Sequence, residues 1–357
     1  MSPKTLAASP APARTDDGMP APGGVVYLAL VGLLLAVATL GICVGQYAIS
    51  PAKVFAVLFG RSIAGDVAWS PMDERIVTLV RGPRILLVAI CGAGLSLAGA
   101  AMQGLFRNPL AAPELLGVSS GAAFGGALAI LLGAPGVVLV GSAFGSGLAA
   151  LALVGAIARI GGRSDTTAVI LAGVIVGSFC LALVSVVQIA ADPNSSLPAI
   201  VFWLMGSFAA AAWQQVAIAA PAVAIGSAIL WAMRFRINVL SLGDEEATAL
   251  GIRVDRDRWL IFLAVALIAG AVVSVAGIVG WVGLVVPHVA RLLVGHDHRH
   301  LLPASALLGA AYLCCIDTLA RSATSIEIPL GVLTAVIGAP FVAFLFRRLR
   351  ATREGAE

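Results

Sequence analysis

Long apolar runs separated by short polar segments make up this chain after its first 24 residues. A helical membrane crossing needs about 20 apolar residues, and most of these runs reach that length. They are continuous, unlike the alternating segments of about ten residues that build a membrane β-barrel. The runs lie at 25–44, 84–105, 115–133, 136–158, 167–190, 213–233, 258–280, 282–295, 302–320 and 329–346. The pattern predicts an all-α, polytopic integral membrane protein with about ten transmembrane helices.

Composition supports a membrane location. Of the 357 residues, 60% are hydrophobic and 11% are charged, and the mean hydropathy is +1.03. Soluble domains carry about 45–50% apolar and about 25% charged residues, so a water-soluble fold of this composition would lack the polar surface it needs. The 40 glycines agree with this interpretation, because small residues let helix backbones approach closely in lipid.

Some segments fall outside the pattern of long runs. Residues 1–24 are rich in proline and alanine, cannot bury a core, and are predicted to form a disordered tail ahead of a membrane domain at 25–350. The tail differs from a signal peptide, because its basic residues are followed by proline and not by an apolar segment. The stretch 198–208 and part of 282–290 are predicted as half-helices or re-entrant pieces, which are tolerated only against protein or a cavity.

The distribution of basic residues sets the orientation. With the N-terminus inside, 16 of the 22 Lys and Arg residues lie in cytoplasmic segments and six lie outside. This excess indicates that both termini are cytoplasmic. The net charge of +4 is spread through the loops, without a dense basic patch interleaved with aromatic residues, so it does not indicate nucleic-acid binding.

The sequence lacks the motifs of an ATPase or another enzyme. Its two lysines, Lys4 and Lys53, stand outside any Gly-Lys-Ser/Thr sequence, so there is no phosphate-binding loop, and neither a zinc-protease motif nor a nucleophile elbow occurs. The acidic residues nearest to membrane depth are Glu114, Asp317 and Glu327. An ion-coupled carrier normally keeps ionisable groups within the membrane, so their scarcity favours an external source of energy.

Cysteine and histidine do not indicate a metal site. The five cysteines lie within apolar runs without metal-ligand spacing and are interpreted as small buried hydrophobic residues. His296, Asp297, His298 and His300 cluster in a cytoplasmic segment, where a solvated interhelical loop is favoured over a metal site. No metal site and no cofactor are therefore predicted in this chain.

A short acidic segment stands out in the longest cytoplasmic loop. Gly243 and Gly251 bracket seven residues that begin with Asp244, Glu245 and Glu246. Acidic residues favour the start of a helix and glycine favours the position just after its end, so the segment predicts a short surface helix. An ordinary solvated loop helix is the alternative to a functional one.

Two further motifs predict local structure. Pro109 and Pro113 interrupt the chain between the second and third predicted helices, and Asn108 and Gly117 belong to the same structured turn. Pro287 is expected to open a helix. His288, which follows it, is interpreted as a structural histidine and not as a metal ligand.

These segments together resemble the FecCD family, the permeases of type II ABC importers for iron chelates, haem and cobalamin. The resemblance covers nearly the whole chain from about residue 25. The matching segments are RGPR at 81–84, GLFRNPLA at 104–111, LGVSSGA at 116–122, LGDEEA at 242–247, VGLVVPH at 282–288, DTLAR at 317–321, EIPLG at 327–331 and GAP at 338–340. Several long motifs in one order make the resemblance specific.

The resemblance implies a set of partners. In this family the permease works as a dimer in a bacterial inner membrane, with two copies of a cytoplasmic ATPase that bind ATP and Mg, and a periplasmic binding protein delivers the substrate. A homodimer is favoured over a pair of unlike permeases. The coupling helix that would seat in the ATPase is formed by Gly243, Asp244, Glu245, Glu246, Ala247, Leu250 and Gly251.

The resemblance also implies roles for residues at the two membrane surfaces. Arg81, Arg84 and Arg321 match outer-face arginines that pair with glutamates of the binding protein, and exposed ion pairs of this kind steer docking. Thr166 and Thr167 match a cytoplasmic gate. Asp165, just before them, is not typical of the family and is expected to cap the following helix.

The expected function is import of an iron chelate, either haem or a ferric siderophore, by alternating access driven by the partner ATPase. A cobalamin importer shares every motif quoted and is the closest alternative. An ion-coupled secondary transporter is the alternative from a different class of protein.

Overall fold

The computed structural model describes residues 23–60, 67–160, 166–324 and 326–354. Within these ranges every regular element is helical and no strand occurs. Most of the tail predicted at 1–24, and the capping residue predicted at Asp165, lie outside the described residues. The prediction of an all-α fold is confirmed.

The helices are numbered here in chain order. They are α1 (Gly24–Cys43), α2 (Pro51–Phe59), α3 (Pro71–Arg75), α4 (Gly82–Leu105), α5 (Val118–Leu131), α6 (Gly136–Ala158), α7 (Thr166–Ala190), α8 (Ser196–Leu204), α9 (Trp213–Ala232), α10 (Arg234–Leu240), α11 (Asp244–Ala249), α12 (Val254–Ala276), α13 (Val282–Val294), α14 (His298–Ser322) and α15 (Leu330–Glu354). A π-helical turn, Ile76–Arg81, joins α3 to α4, and a 3₁₀ turn, Pro113–Leu116, precedes α5.

Length and apolar composition identify the membrane-crossing helices among the described residues. Seven spans are long enough to cross a bilayer: α1, the continuous α3–α4 segment, α6, α7, α9, α12 and α14. Three shorter apolar helices, α5, α13 and the part of α15 up to Phe344, bring the number of apolar helices to ten. The polytopic architecture predicted from the sequence is confirmed.

Helix α13 differs from its prediction in two ways. It is continuous from Val282 to Val294, so 282–290 is not a separate re-entrant piece, and Pro287 lies inside the helix and does not open it. Its 13 residues extend about 20 Å, which is less than the hydrocarbon core of a bilayer. The stretch 198–208 does contain a short helix, α8, as expected.

The polar end of α12 extends beyond the run predicted at 258–280. The helix begins at Val254, and Asp255 and Asp257 occupy its first turn. Acidic side chains there are favoured by the helix dipole, although they lower the local hydropathy. A hydropathy pattern therefore places the start of this helix too late, at the point where its apolar part begins.

Helices α4 and α12 form the centre of the bundle. They are the most completely buried of the seven long spans. Helix α4 packs on α14, α9 and α13, and α12 packs on α9, α6 and α4. Helix α1 lies at the periphery, with an apolar surface that is mostly exposed and suited to lipid.

Glycines let the backbones at this centre touch directly. A Cβ at Gly99 in α4 would overlap the carbonyl oxygen of Gly283 and lie 2.5 Å from its Cα. A Cβ at Gly92 would overlap the carbonyl oxygen of Gly309 in α14 and lie 2.8 Å from Leu313 Cβ. These contacts between helices are the close approaches that small residues permit in a membrane.

A buried glutamine supports the proline inside α13. Pro287 has no N–H, so the carbonyl of Gly283, four residues earlier, loses its helical hydrogen bond. Gln103 in α4 is 3% exposed, and its Nε2 donates to the carbonyl oxygens of Gly283 at 3.2 Å and Leu284 at 3.3 Å. Gln103 of α4 thus supplies the hydrogen-bond donor that Pro287 removes from the backbone of α13.

The cysteines agree with their interpretation at four of the five positions. Cys43, Cys91, Cys180 and Cys314 are buried and free. Cys315 is exposed, so its interpretation as a buried residue is wrong. The next residue along a helix points about 100° away, and Cys315 therefore leaves the face of α14 on which Cys314 packs.

Replacement of Gly99 by alanine should destabilise the bundle. The methyl group would overlap backbone atoms of Gly283, which cannot rotate away as a side chain can, so we expect a loss of about 1–3 kcal/mol. Thermal unfolding of the purified protein in detergent measures the change. Gly141→Ala in α6 is the control, because no atom lies within 4 Å of a Cβ there. Equal unfolding temperatures for the two variants would contradict the contact.

The pairing of Gln103 with α13 can be tested by a double-mutant cycle. Gln103→Met removes the donor and leaves a buried carbonyl unsatisfied, at a cost of about 1–3 kcal/mol. Pro287→Ala restores a backbone N–H for Gly283, so Gln103→Met should cost less in the Pro287→Ala background. Strictly additive changes in unfolding free energy would show that the glutamine does not serve the proline.

Candidate functional site

The predicted coupling helix exists and is short. Helix α11 carries Asp244, Glu245 and Glu246 in its first turn, as expected. The chain turns just after it at Gly251, where φ is +82°, a left-handed conformation that glycine adopts at little cost. The local structure predicted for 243–251 is confirmed, whereas its role in coupling stays a prediction.

An ion pair fixes α11 to the central helix α12. Arg258 donates through Nη2 to both carboxylate oxygens of Asp244, at 2.8 and 2.7 Å. Arg258 is 2% exposed, whereas the Asp244 side chain is 50% exposed. Because a guanidinium is costly to bury without an anion, the pair holds the first turn of α11 against α12. The side chains of Glu245 and Glu246 are exposed.

Helix α10 is attached to the bundle by two further polar contacts. Arg236 donates through Nη1 to both oxygens of the buried Asp257 carboxylate in α12, at 2.8 and 2.9 Å. Asn238 donates through Nδ2 to Asp297 Oδ1 at 2.7 Å, and its own Oδ1 accepts from the backbone N–H of His298 at 2.9 Å. The α10–α11 segment is therefore tied to both α12 and α14.

The histidine cluster is a solvated loop only in part, since His296 is exposed ahead of α14. His298 is the first residue of α14 and is buried, and a Cβ at Gly104 in α4 would lie 2.7 Å from its Cε1. Asp297 caps the helix by accepting from Arg299 N–H. Hydrogen bonds from the Arg299 guanidinium, from Arg299 N–H and from Asn238 hold the pKa of the Asp297 carboxyl well below its usual range. Among the described residues no group of three metal-binding side chains occurs.

The turn after α4 has the structure that its prolines predict. The Asn108 side chain accepts from Leu110 N–H at 2.9 Å. Pro113 begins the 3₁₀ turn, and Gly117, with φ of +70°, ends it and begins α5. This turn lies against α7, because a Cβ at Gly173 would overlap the carbonyl oxygen of Leu115. Pro109 precedes these contacts, within the same turn.

The residues matched to a cytoplasmic gate begin α7. Thr166 is half-buried and Thr167 is exposed at the first turn of this helix. The gate assignment stays a prediction.

His288 lies in α13, and its ring is edge-on to that of Phe341 in α15, with 6.2 Å between the ring centroids. This contact agrees with a packing role for His288.

At the outer surface, two of the predicted docking arginines cap α1. Arg81 donates through Nη1 to the carbonyls of Ile42 at 2.7 Å and Cys43 at 3.2 Å. Arg321 donates to the carbonyls of Val44, at 2.7 Å, and Gly41. The last carbonyls of a helix lack partners within it and carry the negative end of its dipole, so the two guanidinium groups satisfy and neutralise this end.

The third arginine binds two carboxylates from other parts of the chain. Arg84 Nη2 donates to Asp317 Oδ1 at 2.8 Å, and Nε lies 3.1 Å from each Asp317 oxygen. Arg84 also pairs with Glu327 through Nη1, at 3.3 Å, and Nη2. Ser207, between α8 and α9, donates to Glu327 Oε1 at 3.2 Å. One guanidinium therefore joins α4 to α14 and to the segment before α15.

This arrangement corrects one part of the prediction. The three arginines do lie together at one end of the bundle, but they are not exposed: Arg81 is 6% exposed, and the side chains of Arg84 and Arg321 are 12% and 11% exposed. The reason is that the chain itself supplies their acceptors. The docking role that the resemblance implies is left as a prediction.

A π-helical turn sits directly before these arginines. In Ile76–Arg81 the N–H of Gly82 bonds to the carbonyl of Val77, five residues earlier, and the carbonyl of Thr78 accepts from Trp213 Nε1 at 2.9 Å. The turn thereby connects α4 to the start of α9. The sequence does not predict this element, because its apolar pattern is indistinguishable from that of an α-helix.

Comparison with known proteins shows which family has this architecture. Residues 33–348 match the sequence model of the FecCD transport family. The molybdate import system permease protein MolB of Haemophilus influenzae is 40% identical over 326 residues, which cover 91% of this chain and 96% of that protein. The cobalamin import system permease protein BtuC of Halobacterium salinarum is 44% identical over 275 residues, which cover 76% of this chain and 73% of that protein.

A solved structure has the same fold. It is described as an inward-facing conformation of an ABC transporter provisionally assigned to the metal-chelate type, and it superposes with a TM-score of 0.81 at 38% identity, over 91% of this chain and 99% of that one. The family match, the sequence identity over most of the chain and the shared fold all indicate the same family. The chain belongs to the FecCD transport family, and it is a membrane-spanning permease of an ABC importer.

Proposed function

We propose that this permease imports an iron chelate, either haem or a ferric siderophore, from the periplasm to the cytoplasm of a bacterial cell. The similar solved structure is provisionally described as a metal-chelate type transporter, which is in line with a chelated metal as the substrate. The observation on which the proposal depends most is the exposed face of α7. Its side chains, including Leu171, Val174, Ile175 and Phe179, are apolar and exposed in the single chain.

Helix α7 suits the lining of a pathway between two permease copies. Its described residues, Thr166–Ala190, include no charged side chain, and its first turn carries the residues matched to the cytoplasmic gate. A chelator surrounds its metal with its own ligand atoms and spreads the charge over a large molecule, so a chelate needs few charged partners in such a wall. A small oxyanion such as molybdate would leave its hydrogen-bonding oxygens without charged partners there.

The energy for transport is proposed to enter through α11. Glu245 and Glu246 are exposed on α11, where two copies of a cytoplasmic ATPase carrying ATP and Mg would bind. A movement of α11 would be passed to α12 through the pair of Asp244 with Arg258, and to α14 through Asn238. Because α12 lies at the centre of the bundle, its displacement changes the packing of α4, α6 and α9 together.

The outer surface is proposed to receive a periplasmic binding protein through Arg81, Arg84 and Arg321. Their cluster carries three positive and two negative side chains, so it attracts an acidic partner.

Cobalamin and molybdate remain alternative substrates, because relatives of this chain are described as importers of each. An ion-coupled carrier is disfavoured, because the described charged residues of the long spans lie near the helix ends.

Substrate identity can be tested by growth. A strain lacking this permease and starved of iron should fail to grow with haem, or with one ferric siderophore, as its sole iron source, and the intact gene should restore growth. The matched measurements are cobalamin-dependent growth and molybdoenzyme activity in the same strain. Normal growth on every iron source, with loss of either of those two, would replace the iron-chelate proposal by the corresponding substrate.

The coupling role of α11 predicts a charge-reversal phenotype. Glu245→Arg together with Glu246→Arg should lower ATP-dependent uptake by about tenfold or more, because like charges at an interface cost several kcal/mol. The variant should fold, since neither side chain is buried. Glu74→Arg, an exposed acid at the outer surface, is the control and should transport normally. Uptake at the level of the control, with the ATPase bound, would exclude α11 as the coupling element.

A further inference from the structure

The two carboxylates on Arg84 differ in their surroundings. The Asp317 side chain is fully buried and contacts Arg84 through both of its oxygens. The Glu327 side chain is 20% exposed and contacts the outer edge of the same guanidinium. A buried pair is strongly destabilised when one partner leaves, whereas a partly exposed pair competes with water throughout. Asp317 is therefore the permanent partner of Arg84, and Glu327 is the exchangeable one.

The other two arginines of the cluster, Arg81 and Arg321, have backbone carbonyls as hydrogen-bond acceptors. Arg81 and Arg321 donate to the last carbonyls of α1, and a Cβ at Gly45 would lie 2.5 Å from Arg81 Nη2 and 3.0 Å from Arg321 Nη1. Their guanidinium groups are thus fixed by backbone on one side. Arg84 is the cation of the cluster that has a partly exposed side chain, that of Glu327, among its acceptors.

Glu327 also connects Arg84 to the segment that follows α8. Ser207 donates to its carboxylate, and the adjacent backbone is bonded to the start of α15, from Leu330 N–H to the carbonyl of Gly206 at 2.9 Å and from Gly331 N–H to the carbonyl of Met205 at 3.0 Å. Helix α8 follows α7, which is proposed to line the pathway. A change at Glu327 is therefore linked to α7 through Ser207 and α8.

We propose that Glu327 occupies, on Arg84, the place of a carboxylate of the periplasmic binding protein, and that docking exchanges one carboxylate for the other. The exchange keeps the charge of the site constant, so it costs little. It frees the segment 205–207 and the start of α15 from Arg84, so the packing of these two segments changes when the binding protein docks. This inference rests on the docking role proposed for Arg84.

The exchange predicts a gain of affinity on removal of a charge. Glu327→Gln keeps the shape of the side chain but takes away the competing anion, so the affinity of the permease–ATPase complex for its periplasmic binding protein should rise about fivefold. Glu327→Asp, one methylene shorter, should give a smaller rise. Glu74→Gln, which removes an outer-surface acid away from Arg84, should leave the affinity unchanged. Binding is measured with the complete complex in lipid nanodiscs, at two salt concentrations.

The outcomes separate this inference from the docking role itself. Arg84→Ala should weaken binding of the same protein by about tenfold. Unchanged binding by Arg84→Ala would overturn the docking role and the exchange together. Weakened binding by Arg84→Ala with Glu327→Gln equal to Glu74→Gln would overturn the exchange alone. If Glu327→Gln does not fold, Glu327→Asp decides, and an affinity equal to that of the unmodified protein would exclude competition by Glu327.

Discussion

The direct contact of helix backbones around α4 is the constraint on which the rest of this structure depends. In a bilayer the apolar side chains gain little by leaving lipid for protein, so close packing and polar contacts hold the helices together. Gly99 and Gly92 let α4 touch α13 and α14 without side chains between them. Gln103 then reaches the carbonyls that Pro287 leaves open. The positions of the polar groups at both ends of the bundle follow from this central packing.

Those polar groups are arranged in the same way at the two membrane surfaces. On the cytoplasmic side a buried arginine, Arg258, holds a carboxylate at the start of α11. On the outer side Arg84 holds a carboxylate of α14 and one that precedes α15. Each arginine joins a central helix to a segment proposed to contact another protein. A movement at either surface is thus passed to the bundle by an ion pair and not by loose packing.

Much of the fold could be predicted from the sequence. Long apolar runs are an unambiguous signal, and Gly136–Ala158 and Trp213–Ala232 are matched to within a residue. The misses have one physical cause, which is that hydropathy reports the environment of a segment and not its backbone. It therefore misses the charged first turn of α12, the short helices α2 and α3, and the continuation of α13 through Pro287.

The candidate site could be predicted only as separate pieces. The helix within 243–251 could be predicted from local sequence, because glycines bracket it and acidic residues begin it. Nothing in the sequence pairs Asp244 with Arg258, or Arg84 with Asp317 and Glu327, because such partners are chosen by the packing of helices far apart in the chain. For that reason the arginines at 81, 84 and 321 could be grouped as one outer cluster, while their burial could not be foreseen.

The cap of α1 has a consequence for the synthesis of the chain. Its terminal carbonyls at Gly41 and Val44 are satisfied by Arg321, about 280 residues further along. Chains are made from the N-terminus at about 5–20 residues per second, so α1 must wait of order ten seconds or more, with this end hydrated, before Arg321 has been made. The outer end of the first helix to be inserted is therefore among the last parts of the protein to reach its final form.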